Sequence, residues 1–215
     1  MTGTVPNRGG RPRRAADPGS LSPAAVALLA ERGYAGCTMA ELARELGISV
    51  RTLHRYFPVK ADIVWSPIER VLDDRRAVLD ASDPDEPPMD VLRRAICSSL
   101  RDMAADQEHL RAAVRLVSAT PELAVSERIR LGTDVNRDFL ARRLPDNAWP
   151  PLAEVLSAAI SATTMAAMSW WADQPPGVHA PHTVVDEALR KLQWGFTDHP
   201  IDGSGPQDHP PGHRR

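Results

Sequence analysis

Thr38 to Lys60 reads TMAELARELGISVRTLHRYFPVK. Thr38 stands before an apolar-periodic segment and Glu41 follows three residues later, the spacing of a capping box, so a helix is predicted to start at Met39. Met39, Leu42, Ala43 and Leu46 recur at helical spacing on one face, and Glu41, Arg44 and Glu45 occupy the other. Gly47 supplies the left-handed conformation at which a helix stops sharply. Ile48 plugs the corner, and Ser49 is placed to cap a second helix. In that helix Val50, Leu53 and Phe57 share a face expected to be buried. Arg51, Thr52, Arg55 and Tyr56 point elsewhere, with His54 between them. Pro58 ends the helix, because its ring disfavours a helical Phe57 and it has no N–H. Two short helices joined by a tight turn, the second rich in hydrogen-bond donors, suit a unit that reads the major groove of DNA. The bland alternative is a helical hairpin with a solvated face.

Outward from this stretch, Ala25 to Ile63 (AVALLAERGYAGCTMAELARELGISVRTLHRYFPVKADI) resembles the N-terminal domain of the TetR family of transcriptional regulators. The residues that carry the resemblance are Glu31-Arg32-Gly33-Tyr34, the capping Thr38, Ala43 through Ser49, and Thr52 through Lys60. It implies that Thr52 and Tyr56 hold phosphates, that Lys60 contacts phosphate from the start of the fourth helix, and that Arg51 and His54 reach base edges or nearby backbone. Arg55, Thr38 and Ser49 complete the expected DNA-binding set. On chemistry alone Arg51 is the best direct reader, since a guanidinium bonds bidentately to guanine, whereas phosphate contacts fix register. Two residues depart from the family pattern. His54 replaces an aromatic Tyr or Phe, which would make binding follow pH through the ordinary histidine range. Val59 replaces the Ser or Thr that caps the fourth helix, a loss of roughly 1 kcal/mol unless the Pro58 geometry compensates.

A chain of 215 residues with 42% apolar content supports a real core, and its abundant Ala, Leu and Arg suit an all-α fold. No run of eighteen apolar residues occurs, so no membrane span is expected. No apolar run follows the N-terminal arginines, so they do not form a secretion signal. Cys37 and Cys97 are the only cysteines, which disfavours disulfides and zinc; no cofactor or metal is expected, and the protein is read as cytoplasmic. The net charge is −2, but residues 1–60 carry nine Lys and Arg against four acids, or +5, which leaves −7 on the rest. A basic lobe on an acidic body favours phosphate at one end.

The predicted organisation has four parts: a flexible basic arm over 1–19, a three-helix DNA-binding domain over 20–63, a helical ligand-binding and dimerisation domain over 64–197, and a disordered tail over 198–215. About nine helices are predicted in all. Arg11, Arg13 and Arg14 of the arm would enter the adjacent minor groove. The first helix is predicted to open at Ser22-Pro23, with the serine as cap, and to bury Val26, Leu28, Leu29 and Tyr34. The fourth runs from Lys60 towards Asp80 and contains Pro67, which kinks or restarts it; in the family this helix links the two domains, so a kink there would be a hinge. Further helices are predicted over 90–105, 107–117, 121–143 (opened by Thr120-Pro121-Glu122), 152–172 and 183–194.

The eighth predicted helix is rich in Ala, Ser and Thr, and with the ninth it is expected to pair with its twofold mate in a four-helix bundle. Leu110 to Phe196 also resembles the C-terminal domain of actinobacterial TetR-type regulators described as binding acyl-CoA-like ligands, including those of mycofactocin systems. The residues concerned are Arg115-Leu116-Val117, Thr120 to Leu123, Phe139 to Arg143, Ala166 to Trp171, Asp186 to Leu189, and Trp65. This implies an apolar pocket drawn from Met103, Leu110, Val114, Val117, Leu131, Val135, Met165, Met168 and Trp171, with Arg111 and Arg115 available to an anionic head group. The expected partners are a double-stranded DNA operator, a second copy of the chain, and a small hydrophobic effector such as an acyl-CoA. An enzyme is the rival class, but Ser98, Ser99 and His109 have no geometric reason to pair. A non-specific DNA-binding structural protein is the third possibility.

Overall fold

The computed structural model describes residues 18–124, 127–145 and 147–195. The expected arm with Arg11, Arg13 and Arg14, and the expected tail over 198–215, lie outside the described residues. The chain divides into two compact units, Met1–Ile63 and Val64–Arg215. Every regular element among the described residues is helical.

The first unit holds α1 (Pro18–Arg32), α2 (Met39–Glu45), α3 (Val50–Tyr56) and the start of α4 (Lys60–Asp80). The helix expected to open at Ser22 opens at Pro18 instead, and Pro23 lies inside it. Pro18 takes the first position, where a missing N–H costs nothing. Ser22 is not a cap: it is buried, and its hydroxyl donates to the Ile63 carbonyl at 3.4 Å. Leu21, Ala25, Val26 and Leu29 face the core, while Leu28 and Tyr34 are half-buried. In the loop that follows, a Cβ on Gly36 would stand 2.7 Å from the Arg32 carbonyl oxygen, so only glycine fits.

α4 is helical without interruption through Pro67. Its cap is also resolved. Val59 has no side-chain oxygen to offer, but the Asp62 carboxylate reaches back to accept from the Val59 N–H at 3.0 Å. This is half of a capping box, supplied by the third helical residue in place of the missing Ser or Thr.

The second unit continues α4 and adds α5 (Pro88–Asp102), a 3-10 turn (Met103–Asp106), α6 (Gln107–Ala119), α7 (Pro121–Ala124), a second 3-10 turn (Glu127–Ile129), α8 (Arg130–Arg143), α9 (Leu152–Asp173) and α10 (Pro181–Gly195). Three boundaries differ from expectation. The helix predicted over 90–105 ends at Asp102 and tightens into 3-10 geometry. The single helix predicted over 121–143 is two helices with a 3-10 turn between them. No Pro or Gly in the described part of that turn forces the break; the turn is held from outside, by an ion pair from Arg128 to Glu69 of α4. α10 opens at Pro181, not at the Thr183 cap, for the reason that moved α1: a proline is pre-organised for the first position.

α9 is the spine of this unit, packed against α6, α8 and α10, while α5 packs against α8 and α10. Val91 and Ile96 of α5, Leu110 and Val114 of α6, Phe139 and Leu140 of α8, Ile160 and Trp171 of α9 and Val185 of α10 form one core. Burying each such side chain contributes about 1.5–3 kcal/mol. The C-terminal end of α9 is closed by Arg111 of α6. Its Nη1 donates to the carbonyls of Trp171 (2.7 Å), Ala172 (3.0 Å) and Gln174 (2.8 Å), and its guanidinium lies 4.2 Å from the Trp171 ring. A cation on orphan carbonyls at a helix C-terminus is favourable twice over, by hydrogen bonding and by the macrodipole. α9 is also long and apolar enough to cross a membrane by composition alone, with 28% of its most apolar window buried, although no such span was expected from the sequence.

Candidate functional site

The α2–turn–α3 unit is built from local satisfaction of backbone groups. The Thr38 hydroxyl accepts from the Glu41 N–H at 3.2 Å, and the Glu41 carboxylate accepts from the Thr38 N–H at 2.8 Å. The Thr38 N–H and the Thr38 hydroxyl, both donating to this carboxylate at 2.8 Å, hold the Glu41 carboxyl below the usual carboxylate range. Gly47 has φ +66 and ends α2. The Ser49 hydroxyl accepts from the Thr52 N–H at 3.0 Å and lies 2.8 Å from the Thr52 hydroxyl. Leu53 and Phe57 point inward, fully buried. Val50 does not: it is 40% exposed. As the first residue of a seven-residue helix its side chain leans past the helix start, which leaves it part-exposed among the described residues.

The opposite face carries the donors. Arg51, His54 and Arg55 are exposed, with Thr52 and Tyr56 half-buried beside them. Arg55 donates to the Tyr56 hydroxyl at 2.7 Å and lies over the Tyr56 ring at 4.7 Å, so the two act as one positioned pair. His54 Nδ1 is 3.0 Å from the Pro58 carbonyl, an acceptor, so Nδ1 carries the hydrogen and Nε2 is turned outward. Lys60 is half-buried. Its ammonium donates to the carbonyls of Tyr34 (2.6 Å) and Cys37 (2.9 Å) and lies 4.2 Å from the Tyr34 ring, which ties the α1–α2 loop to the start of α4. That anchoring role was not anticipated.

In the second unit, Met103, Leu110, Val114, Val135, Met168 and Trp171, all expected to line a pocket, are members of the packed core. Val117 is buried, while Leu131 and Met165 are half-buried. Arg115 is exposed and lies 3.9 Å from Asp173; Arg111 is committed to the end of α9. Ser98 and Ser99 donate to carbonyls of their own helix.

Two polar features escaped the sequence reading. A groove of about 510 Å³ between α5 and α10 is lined by Arg93, Arg94, Cys97, Arg101 and Arg190, among others. At its centre Asp186 accepts from Arg93 and Arg190, both at 2.6 Å, and from the Cys97 thiol at 3.7 Å. Burial, with Asp186 beside it, pushes that thiol up to about 12. The second feature is Arg75 of α4, whose guanidinium is buried among α4 and α8 and donates to Asn136 at 3.3 Å. A signal for it was present: Ile68, Val71, Leu72, Arg75 and Leu79 share one helical stripe, so an arginine stands in an apolar row.

Comparison with known proteins agrees with this geometry. Residues 23–65 match the TetR_N family, bacterial regulatory proteins of the tetR family, and residues 86–197 match the MftR C-terminal domain family. A Mycobacterium tuberculosis protein carrying the name mycofactocin biosynthesis transcriptional regulator MftR is 32% identical over 157 residues, covering 68% of this chain and 79% of its own. Among solved structures, Thermus thermophilus FadR, a TetR-family repressor in complex with lauroyl-CoA, aligns over 88% of this chain and 100% of its own with TM-score 0.55 at 18% identity. NalD of Pseudomonas aeruginosa, a repressor of a multidrug efflux pump, aligns over 83% and 94% with TM-score 0.56 at 16% identity. At those identities the structures speak for the fold. The capped helix-turn-helix of the first unit and the all-helical second unit are both accounted for: the chain belongs to the TetR family of bacterial transcriptional regulators and carries an MftR-type C-terminal domain.

Proposed function

We propose that this ligand-responsive regulator is a cytoplasmic repressor that binds a near-palindromic operator as a homodimer and leaves it when a small hydrophobic or acyl-CoA-like effector enters the second unit. The observation that carries the DNA-binding half is the two-sidedness of α3: Leu53 and the adjoining Phe57 are sealed inside while Arg51, His54 and Arg55 face solvent. In this reading Arg51 and His54 read bases. Thr52, Tyr56 and Arg55 hold phosphates, with Thr38 and Ser49 beside them, and the Lys60 charge supports them from behind. Arg11, Arg13 and Arg14 would add minor-groove contacts.

The dimer is supported by α9. Val155, Ala158, Ala162, Ala166 and Trp170 are exposed in one stripe at helical spacing. Small side chains there let a second copy approach closely, with α10 completing a four-helix bundle. Two α3 helices would then lie roughly 34–36 Å apart, one turn of DNA. The effector acts only through its difference in affinity for the operator-bound and released states. The MftR-type domain and the lauroyl-CoA seen in a relative of the same fold favour an acyl ligand. Nothing in the arrangement of Ser98, Ser99 and His109 supports catalysis.

The test is selection of bound DNA from a random pool, followed by footprinting. One discrete protected site is expected; uniform coating would instead mark a non-specific structural protein. Arg51→Ala combined with Tyr56→Ala is expected to lower operator affinity by more than a hundredfold while light scattering still reports a dimer. Unchanged affinity in that variant would sink the assignment.

A further inference from the structure

Arg75 is a buried cation without an anion. Its residue is 4% exposed, its Nε has no hydrogen-bond partner, and no ion pair reaches it among the described residues. Nη1 has one acceptor, the Asn136 amide oxygen at 3.3 Å. Asn136 is wholly buried too, and its own N–H donates to Ser161 of α9 at 3.2 Å. The arrangement is therefore a short polar line, Arg75 to Asn136 to Ser161, running through apolar packing.

Burial, opposed by Cys97 and helped by Arg76, pulls the Arg75 guanidinium from its ordinary 12.5 down to about 10, which leaves it charged at neutral pH. A charge taken out of water and met only by a neutral amide is costly. Arg111, whose role is structural, also leaves its Nε and Nη2 without hydrogen bonds, but three backbone carbonyls, an indole face and the Glu108 carboxylate at 3.5 Å surround its charge. Arg75 has no such set. Opposite it, α8 offers Gly132, where a Cβ would lie 3.9 Å from Arg75 Nη1 and 3.6 Å from Leu72. One turn from Asn136, the wall facing the guanidinium thus has no side chain of its own.

We propose that Arg75 receives the anionic end of the effector: a carboxylate on an otherwise apolar molecule, bound in the second unit against Arg75 and Asn136. The guanidinium fork matches a carboxylate bidentately, and the flanking Val71, Leu72 and Val135 suit an alkyl body. This rests on the ligand-responsive reading above and narrows its acyl ligand to the free acid, because a thioester or an alcohol of the same chain length brings no carboxylate to Arg75.

Laurate and dodecanol, both below their micellar concentrations, separate charge from chain length on the full-length protein. By calorimetry the wild type is expected to bind laurate at least tenfold more tightly than dodecanol. Arg75→Met is expected to bring laurate down to the affinity of dodecanol, to leave dodecanol within about twofold, and to keep operator binding in the absence of ligand. Arg75→Lys, which keeps the charge but loses the fork, is expected to fall between. A wild type that binds both ligands equally overturns the anchor, whether or not Arg75→Met folds. So does an Arg75→Met or Arg75→Lys protein whose preference for laurate is unchanged. Failure of the wild type to protect any discrete operator is a separate result, which sinks the regulator and not the anion site.

Discussion

The two units use the same side chain in opposite ways. On α3 the arginines stand off an apolar stripe and face water, and the stripe itself, Leu53 and Phe57, stays inside. In the second unit Arg75 and Arg111 stand on the buried side. Composition treats all four alike. Their place relative to the nearest apolar row decides whether a guanidinium is free for a macromolecule, spent on a helix end, or held in the interior with its charge unmatched.

That contrast can be broken at several points. The largest effect is expected from Leu53→Ala: emptying a fully buried site in so short a helix should cost about 3 kcal/mol, seen as a lower unfolding midpoint and loss of operator binding together. If the midpoint is unmoved, α3 is not held by its apolar face. Arg111→Met should cost about 2 kcal/mol, because it orphans carbonyls at the end of α9. Arg75→Met should go the other way, stabilising the ligand-free protein by about 1 kcal/mol, since it removes an unmatched buried charge. Equal destabilisation by the two variants would erase the distinction between them. Thr38→Ala should cost about 1 kcal/mol through loss of the α2 cap.

The smallest effect is a pH dependence. Burial holds His109 below its ordinary 6.5, with Asp106 opposing that shift and Arg70 adding to it. The folded state therefore prefers the neutral ring. Above 6.5 this group contributes fully; as pH falls from there towards the lower folded value, the unfolded chain takes up the proton first and stability is lost. His109→Gln should flatten the fall in unfolding midpoint between about pH 7 and pH 5. A slope that survives the substitution assigns the effect to other groups.

What was legible in the sequence follows the same division. Thr38, Gly47, Ser49 and Pro58 gave the helix-turn-helix because each satisfies or withholds a backbone bond within four residues of itself. The features that went unread depend on partners far away. Pro18 and Pro23 both fit a helix start, and the choice goes with Ser22 bonding Ile63, 41 residues on. The break in the helix predicted over 121–143 sits at Arg128, whose partner Glu69 is 59 residues back. Arg75 meets Asn136 across 61 residues. Met103, Leu110, Val114, Val135, Met168 and Trp171, expected to line a pocket, stand in the packed core, where an apolar pattern alone does not separate wall from filler. Val50 failed for a geometric reason, lying too close to the helix start to be covered.

The groove between α5 and α10 bears on oxidative stress. Peroxide and alkylating agents react with sulfur as its nucleophilic anion, and burial, with Asp186 beside it, keeps the hydrogen on Cys97. At cellular pH this sulfur should stay inert through bursts of oxidant that inactivate proteins with acidic thiols. Gene control by this protein would then answer to its effector while ignoring redox weather.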